Sequence, residues 1–485
     1  MKLFSAKRHF ALTTLVVFFL NLGVLSAQET LHLSLENAID SAMQNNYQVK
    51  RYQEIVSQKE YLDKASVGNF FPSIDVLGGY TYFSQNAEIN MSQVKGSIDD
   101  MFGKYGAVIA QELDLSDDTQ QEIYDKITGG LGKLPAYNIE IDQQHYPNLN
   151  ITAMQPLFLG GKIIAGKRFA TAELEYAHQD LRKIRNAVIG ETIERYFGVI
   201  LLEHVIRVRK DVVAGMKRHE HQAEKAIEIG VIPTHELLRA KVAVANAERD
   251  QMDDENKLEL ATLALKTSLG LEDSYTIETT DSMHFKMTNF QIENLKQEAY
   301  GSQPVFKMIE QKKLMVKSKK ALEVSEFLPQ IAAWGEYGFF REEYPVIMPP
   351  VMIGVQAKMN IFHGFAKVNK LKATDHLAME VEAAEIYARK QVDLWVNKAY
   401  LSVLNMQERY IKMKPTIDLA RKNKEINEKR FKEGLGKSVD VIDANLLYEA
   451  AVVEQLKTLY DYYLALADLY LATGNPEKVV GLFNN

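Results

Sequence analysis

The residues best placed for chemistry in this chain are acidic, and there are few of them. Asp440 and Asp443 stand three apart, so a helix would put both on one face. Ser438 precedes them in the position of an N-cap, and Thr234 with Glu236 repeats the arrangement 438 − 234 = 204 residues earlier. The simplest role for such first-turn carboxylates is to complement a helix dipole. His219 and His221, two apart on a helix, point to different sides and read as exposed polar residues, not as a metal pair. Asp253-Asp254-Glu255 reads as a solvated charge run. No phosphate-binding glycine loop, nucleophile elbow or His-Glu-x-x-His helix occurs. Cysteine is absent, which removes disulfides, thiol nucleophiles and thiolate metal ligands. The sequence predicts no catalytic residue, no cofactor and no metal site, and a soluble hydrolase would lack any place for its acid and base.

The acids sit where very long helices must turn. Val381, Ala384, Ala388, Val392, Trp395, Ala399, Val403, Met406, Tyr410, Met413, Ile417 and Ala420 recur at spacings of three and four, a coiled-coil stripe. A matching helix runs from about Lys162 to Ile229. Each is roughly 65–70 residues and so about 100 Å long, which forces lengthwise packing. Pro72, Pro147, Pro156, Pro233, Pro304, Pro329, Pro345, Pro349, Pro350 and Pro476 fall at expected ends or turns. Pro415 falls inside the second long helix and is expected to kink or interrupt it.

The chain also repeats itself once. Phe158 and Phe362, Gly160 and Gly364, Tyr196 and Tyr400, Gly230 and Gly434, and Gly270 and Gly474 are each 204 apart. Upstream the offset is 257, pairing Pro72 with Pro329 and Asn45-Asn46-Tyr47 with Ser302-Gln303-Pro304. The difference, 257 − 204 = 53, is an insertion in the first half, placed at about Asn90 to Gln143. It holds ten acidic residues against four lysines and is expected to be an extended loop, turning at Gly129-Gly130 and Gly132. Each half reads helix, strand, strand, very long helix, tight turn, helix. The predicted divisions are 28–270, a connecting segment 271–300, a second repeat 301–474 and a tail 475–485.

Four stretches alternate with period two. Ile74, Val76, Tyr80 and Tyr82 share one face of the first, and Leu149, Ile151 and Ala153 one face of the second. Ile331, Ala333, Tyr337 and Phe339 share a face of the third, with Gln330, Glu336 and, less comfortably, Trp334 opposite. Val351, Ile353, Val355, Ala357, Met359 and Ile361 share a face of the fourth. Alternation of this kind suits a transmembrane barrel wall and a half-buried soluble hairpin equally. Four strands cannot enclose a water-filled barrel, so the first reading requires several chains.

The N-terminus has the build of a secretory leader over residues 1–27. Lys2, Lys7 and Arg8 precede an apolar run from Phe10 to Leu20, and Leu25-Ser26-Ala27 supplies a small-residue cleavage site. Without it the charge is 54 − 64 = −10, which does not suggest nucleic-acid binding. Charged residues at 25% and hydrophobic ones at 46% argue against disorder.

Four motifs, in order on this duplicated frame, resemble the TolC family of outer-membrane efflux and secretion channels. They are Leu33-Ser34-Leu35-Glu36-Asn37-Ala38 through Asn45-Asn46, Phe71-Pro72-Ser73, Gln155-Pro156-Leu157-Phe158-Leu159-Gly160-Gly161, and Gly434-Leu435-Gly436-Lys437-Ser438-Val439-Asp440-Val441-Ile442-Asp443-Ala444. The resemblance implies a mixed α+β, mainly α fold. A homotrimer would form an outer-membrane β-barrel from four strands per protomer, continued by a coiled-coil periplasmic tunnel. It implies a passive exit duct for efflux or type I secretion, partnered by a periplasmic adaptor protein and an inner-membrane transporter of RND, ABC or MFS type, in contact with outer-membrane lipid. It places Gly230 and Gly434 at the periplasmic tip, where the adaptor would bind. Asp440, Asp443 and Glu236 would ring the constriction, crowded enough to favour partial protonation. A family member has an arginine where Gly436 stands, and the aromatic position here is Phe431, without a hydroxyl. The family's closing lock is therefore not carried over, and Arg239, set to face Asp443 across the repeat, is the substitute latch expected. The competing reading is a periplasmic or cell-surface coiled-coil tether that forms no channel.

Overall fold

The computed structural model describes residues 30–82, 84, 87–90, 92–112, 116–133, 138–141, 145–272, 274–340 and 349–482. The leader and Pro345 lie outside them. In chain order the elements are β1 (Thr30–Leu33), α1 (Leu35–Asn45), α2 (Tyr47–Gly68), β2 (Ser73–Tyr82), β3 (Ala87–Asn90), α3 (Ser92–Glu112), α4 (Asp117–Gly132), β4 (Asn138–Ile141), β5 (His145–Phe158), α5 (Lys162–Glu228) and α6 (Thr234–Leu269). Then follow β6 (Thr276–Thr279), α7 (Ile292–Ser302), α8 (Pro304–Ser325), β7 (Gln330–Gly338), β8 (Val351–Lys358), α9 (Ala366–Lys432), α10 (Ser438–Ala472) and a 3-10 helix (Pro476–Leu482). Among the described residues no helix is long and apolar enough to cross a membrane.

Element starts keep the two sequence offsets: 292 − 35 = 257 and 304 − 47 = 257, then 366 − 162 = 204 and 438 − 234 = 204. Lengths agree as well, 67 residues for both α5 and α9. One boundary shifts. The opening helix of the second half starts at Ile292, inside the expected connecting segment 271–300. The rest of that segment carries β6, which pairs in parallel with β1, a two-stranded sheet too short for periodicity to reveal.

Glycine fixes where the helices stop. Gly270 and Gly474 adopt φ of 64° and 85°, which side chains resist. Beyond each, the next N–H reaches back five residues: Leu271 donates to Lys266 O at 3.0 Å and Asn475 to Tyr470 O at 2.9 Å. Both glycines also admit a close neighbour. A Cβ on Gly270 would lie 2.7 Å from Asn45 O, and one on Gly474 2.8 Å from Ser302 C. The side chains next to those neighbours finish the packing: Asn46 Nδ2 donates to Ser268 O (2.8 Å) and Gln303 Nε2 to Leu471 O (2.7 Å).

The chain forms two units. The first takes in the described residues of Met1–Ser66, Ala165–Lys320 and Lys370–Asn485. Its core gathers Leu33, Leu35, Tyr196, Phe197, Leu265, Leu269, Leu466 and Leu469, all at most 2% exposed. Tyr196 Oη donates to Leu33 O at 2.9 Å, and burial pushes its phenol well above the usual range. In the α9 stripe Val381, Val392, Ala399, Val403, Ile417 and Ala420 are buried as the spacing predicts, whereas Ala384 is exposed. The helix runs unbroken through Pro415. Pro415 and Ile411, whose carbonyl loses its donor, are both exposed, so water replaces the missing bond.

The second unit takes in Val67–Ile164 and Ala321–Asn369. Its antiparallel sheet has the order β2-β5-β7-β8, leaving β2 and β8 as edges. The register joins the predicted apolar faces into one. Val76 pairs with Ile151, Ile151 with Tyr337, and Tyr337 with Val351. Ile74, Val76, Tyr80, Ile353 and Val355 on that face are 66–83% exposed. The opposite face carries Asp75, Thr81, Asn150, Thr152, Glu336, Gln356 and Lys358, and Trp334 lies over Gly354, where a Cβ would be 2.9 Å from the indole nitrogen. Pro147 and Pro156 lie within β5, not at its ends, and the register shift between Pro156 and Phe158 absorbs the second.

The insertion is not an extended loop. β3 and β4 pair as an antiparallel stalk, and α3 and α4 form a helical hairpin on it. Gly129, Gly130 and Gly132 belong to α4 and make no turn between strands. Close packing explains two other glycines: Cβ atoms on Gly103 and Gly106 would lie 3.4 Å from Tyr124 and 3.0 Å from Ile127.

Gly474→Ala should destabilise the fold by about 2–4 kcal/mol, left-handed strain and backbone clash together. Gly161→Ala, with φ of 83° but open space around its Cβ, should cost about 1 kcal/mol. Denaturant unfolding in detergent, followed by far-UV circular dichroism, measures the gap.

Candidate pore constriction at the helical turns

The acids singled out by sequence lie beside two turns of one design. Gly230 and Gly434 both adopt φ of 73°. Val231 N–H donates to Ala226 O at 2.9 Å, and Leu435 N–H to Arg430 O at 2.8 Å, closing each helix end. The turns touch, since a Cβ on Gly434 would lie 3.7 Å from Val231. At Gly436 a Cβ would lie 3.1 Å from Phe431 N, so this turn has no room for a larger residue without a shift. Ile229, Val231 and Leu435 stand exposed at the tips.

The returning helices begin one residue earlier than the sequence predicts. Their caps are Pro233 and Lys437, not Thr234 and Ser438, and neither cap offers a side-chain acceptor. Asp440 compensates by accepting the Lys437 backbone N–H at 3.2 Å. Ser438 is buried instead, joined to His219 Nε2 by a 2.7 Å hydrogen bond. His219, expected on the surface, is 3% exposed and packs edge-on against Phe431 with ring centroids 4.5 Å apart. The signal was present in the sequence: Val212, Met216, His219 and Ala223 keep the stripe's spacing of four, three and four. Burial lowers the His219 pKa to about 4, with the Glu236 charge pulling the other way. His221 is exposed, as expected.

The three acids have different surroundings. Glu236 is buried, with Oε1 3.4 Å from His235 and 3.7 Å from Arg239. Its Oε2 and His219 Nδ1 are buried and have no hydrogen-bond partner among the described residues. Asp440 is half-buried and Asp443 exposed. Arg239 reaches Glu236, and among the described residues no ion pair joins it to Asp443.

A second polar cluster ties α5, α6 and α10 together. Arg209 Nε donates to Asp254 Oδ2 at 2.8 Å, its Nη1 donates to Glu449 Oε1, and Lys257 reaches Asp254 at 2.7 Å. Asp254 is therefore a buried partner and not part of a solvated run, while Asp253 and Glu255 are exposed. Burial raises the Glu449 pKa, and Arg209 opposes the shift. Among the described residues no group of three or more His, Asp or Glu could hold a metal ion.

An edge-bearing sheet with an apolar face and two 67-residue helices, each returning through a glycine turn, define the fold of outer-membrane channels. The structure is similar to that of the outer-membrane channel OprN at 13% identity, with a TM-score of 0.71 over 91% of this chain and 90% of that one. It is similar to the CmeC outer membrane channel of Campylobacter jejuni (14%, TM-score 0.71, 91% and 85%) and to the outer membrane protein VceC of Vibrio cholerae (15%, TM-score 0.68, 91% and 96%). No curated protein matches significantly by sequence. The sequence model of the outer membrane efflux protein family matches residues 38–271 of this chain. Its members are outer-membrane transport ducts, not enzymes.

Two outcomes are expected at these helices. Folded His219 titrates near 4 against 6.5 for the free side chain, so between those values the unfolded chain binds the extra proton. Stability falls as pH drops from about 6.5 to 4, by at most about 3 kcal/mol. Hydrogen exchange at the turns should accelerate over that window in the parent and much less in His219→Gln. Arg209→Met leaves buried Glu449 without its cation and Asp254 with Lys257 alone, and should cost about 3–5 kcal/mol in denaturant unfolding.

Proposed function

We propose that the chain is the passive outer-membrane exit duct of a tripartite efflux or type I secretion system. Three copies pool four strands each into one twelve-stranded barrel, and α5, α6, α9 and α10 of each copy line a periplasmic tunnel. The observation that carries this reading is the sheet. Its apolar face is exposed, its other face carries most of the sheet's polar side chains, and among the described residues β2 and β8 have unpaired edges that lipid cannot satisfy. Copies related by an axis remove every edge. The matched offsets support a duplicated protomer, whose halves would alternate around the tunnel.

The turns with Gly230 and Gly434 form the periplasmic tip in this reading. Exposed Ile229, Val231 and Leu435 suit contact with an adaptor protein, which would link the duct to an inner-membrane transporter of RND, ABC or MFS type. Asp443 supplies the charge facing the constriction. Asp440 contributes from its capping position, and Glu236 acts from within the protomer, holding Arg239. The insertion between β2 and β5 stands at the extracellular end.

Purification and bilayer recording test this. The protein should need detergent, run as a trimer and form cation-preferring pores, and Asp443→Asn should lower the cation-to-anion preference about two- to tenfold. A monomer that stays dissolved without detergent, or a protein that high salt strips from membranes as it would a tether, defeats the proposal.

A further inference from the structure

α3 carries an apolar stripe that no described residue of the chain covers. Ile98, Met101, Phe102, Tyr105, Val108 and Ile109 are all exposed, at 39–65%. They fall into two heptads: Ile98 and Tyr105, Met101 and Val108, and Phe102 and Ile109 are each seven apart. At 100° per residue the stripe is turned well away from Gly103 and Gly106, the positions that meet α4. The helix therefore has one face used and one apolar face in water.

The spacing says what kind of surface fits, because a heptad seam accepts another helix. The position of the hairpin says which one. Tyr82 pairs with His145 (82 + 145 = 227) and Ala87 with Ile141 (87 + 141 = 228), so the β3–β4 stalk continues the β2–β5 ladder one residue out of step. The hairpin thus rises from β2, an edge of the sheet. α3 is almost neutral, and its Lys104 is paired with Asp100 at 2.7 Å. The excess acid lies on α4, which holds Asp117, Asp118, Glu122 and Asp125 against Lys126. Like stripes meet without charge repulsion, whereas an acidic hairpin does not suit an anionic lipid surface.

We propose that the α3 stripe is an interface between copies of this chain, where three α3 helices pack into a helical cap over the outer mouth of the duct. This rests on the trimeric reading given above.

The absence of cysteine allows a direct test. Tyr105→Cys and Glu122→Cys are introduced singly, and oxidation is carried out in outer membranes before solubilisation, with the trimer's mass measured separately by light scattering. Threefold geometry joins two of three cysteines, so Tyr105→Cys should give a crosslinked dimer at roughly fivefold the yield of Glu122→Cys, since a disulfide needs Cα atoms within about 7 Å. Val108→Lys added to Tyr105→Cys should abolish that product and raise the pore's open probability. A trimer without the Tyr105 crosslink, or with equal yields at both sites, overturns the interface and leaves the trimer standing. A monomer by mass overturns the assembly and the interface together.

Discussion

The backbone N–H and C=O groups along the outer sides of β2 and β8 have a strand to bond on one side only, and the face they border is apolar from Ile74 across to Val355. Water satisfies such edges but penalises the apolar face, whereas lipid welcomes the face but leaves the edges unsatisfied. Pairing edge to edge with further copies answers both demands. The rest of the proposed duct follows from that constraint, including the position of the insertion, which grows out of an edge strand and carries its own exposed apolar stripe.

The helices contribute rigidity by a different route. Each long rod ends at a glycine whose left-handed backbone lets the chain reverse, and the return helix packs along the rod through small and branched side chains. Apolar stripes alone would tolerate sliding by a heptad. Arg209 between Asp254 and Glu449, and His219 against Ser438 and Phe431, hold α5 in one register against its neighbours, because a shift would strand these groups without partners. The polar clusters therefore add specificity of register more than stability.

Much of this was legible beforehand. The long helices, the glycine turns, the four strands and the insertion's existence followed from spacing, proline and internal repetition. The stripe misled at Ala384, which is exposed. Insertion helices were missed because their glycines, Gly129 and Gly130, read as turn residues, and because Gly103 and Gly106 serve close packing. The candidate site was legible only in part. Asp443 is exposed, Asp440 caps its helix, and Glu236, His219 and Asp254 are buried.

Sequence by itself determined what depends on neighbours along the chain: which residues face one way in a helix or strand, and where the backbone must reverse. Tertiary structure decided which polar residues are inside. Arg209, Asp254 and Glu449 meet across 45 and 240 residues of separation, and His219 meets Ser438 across 219. A charge on a helix carries no local mark of the helix that will cover it, so its burial is settled only when separate rods pack together.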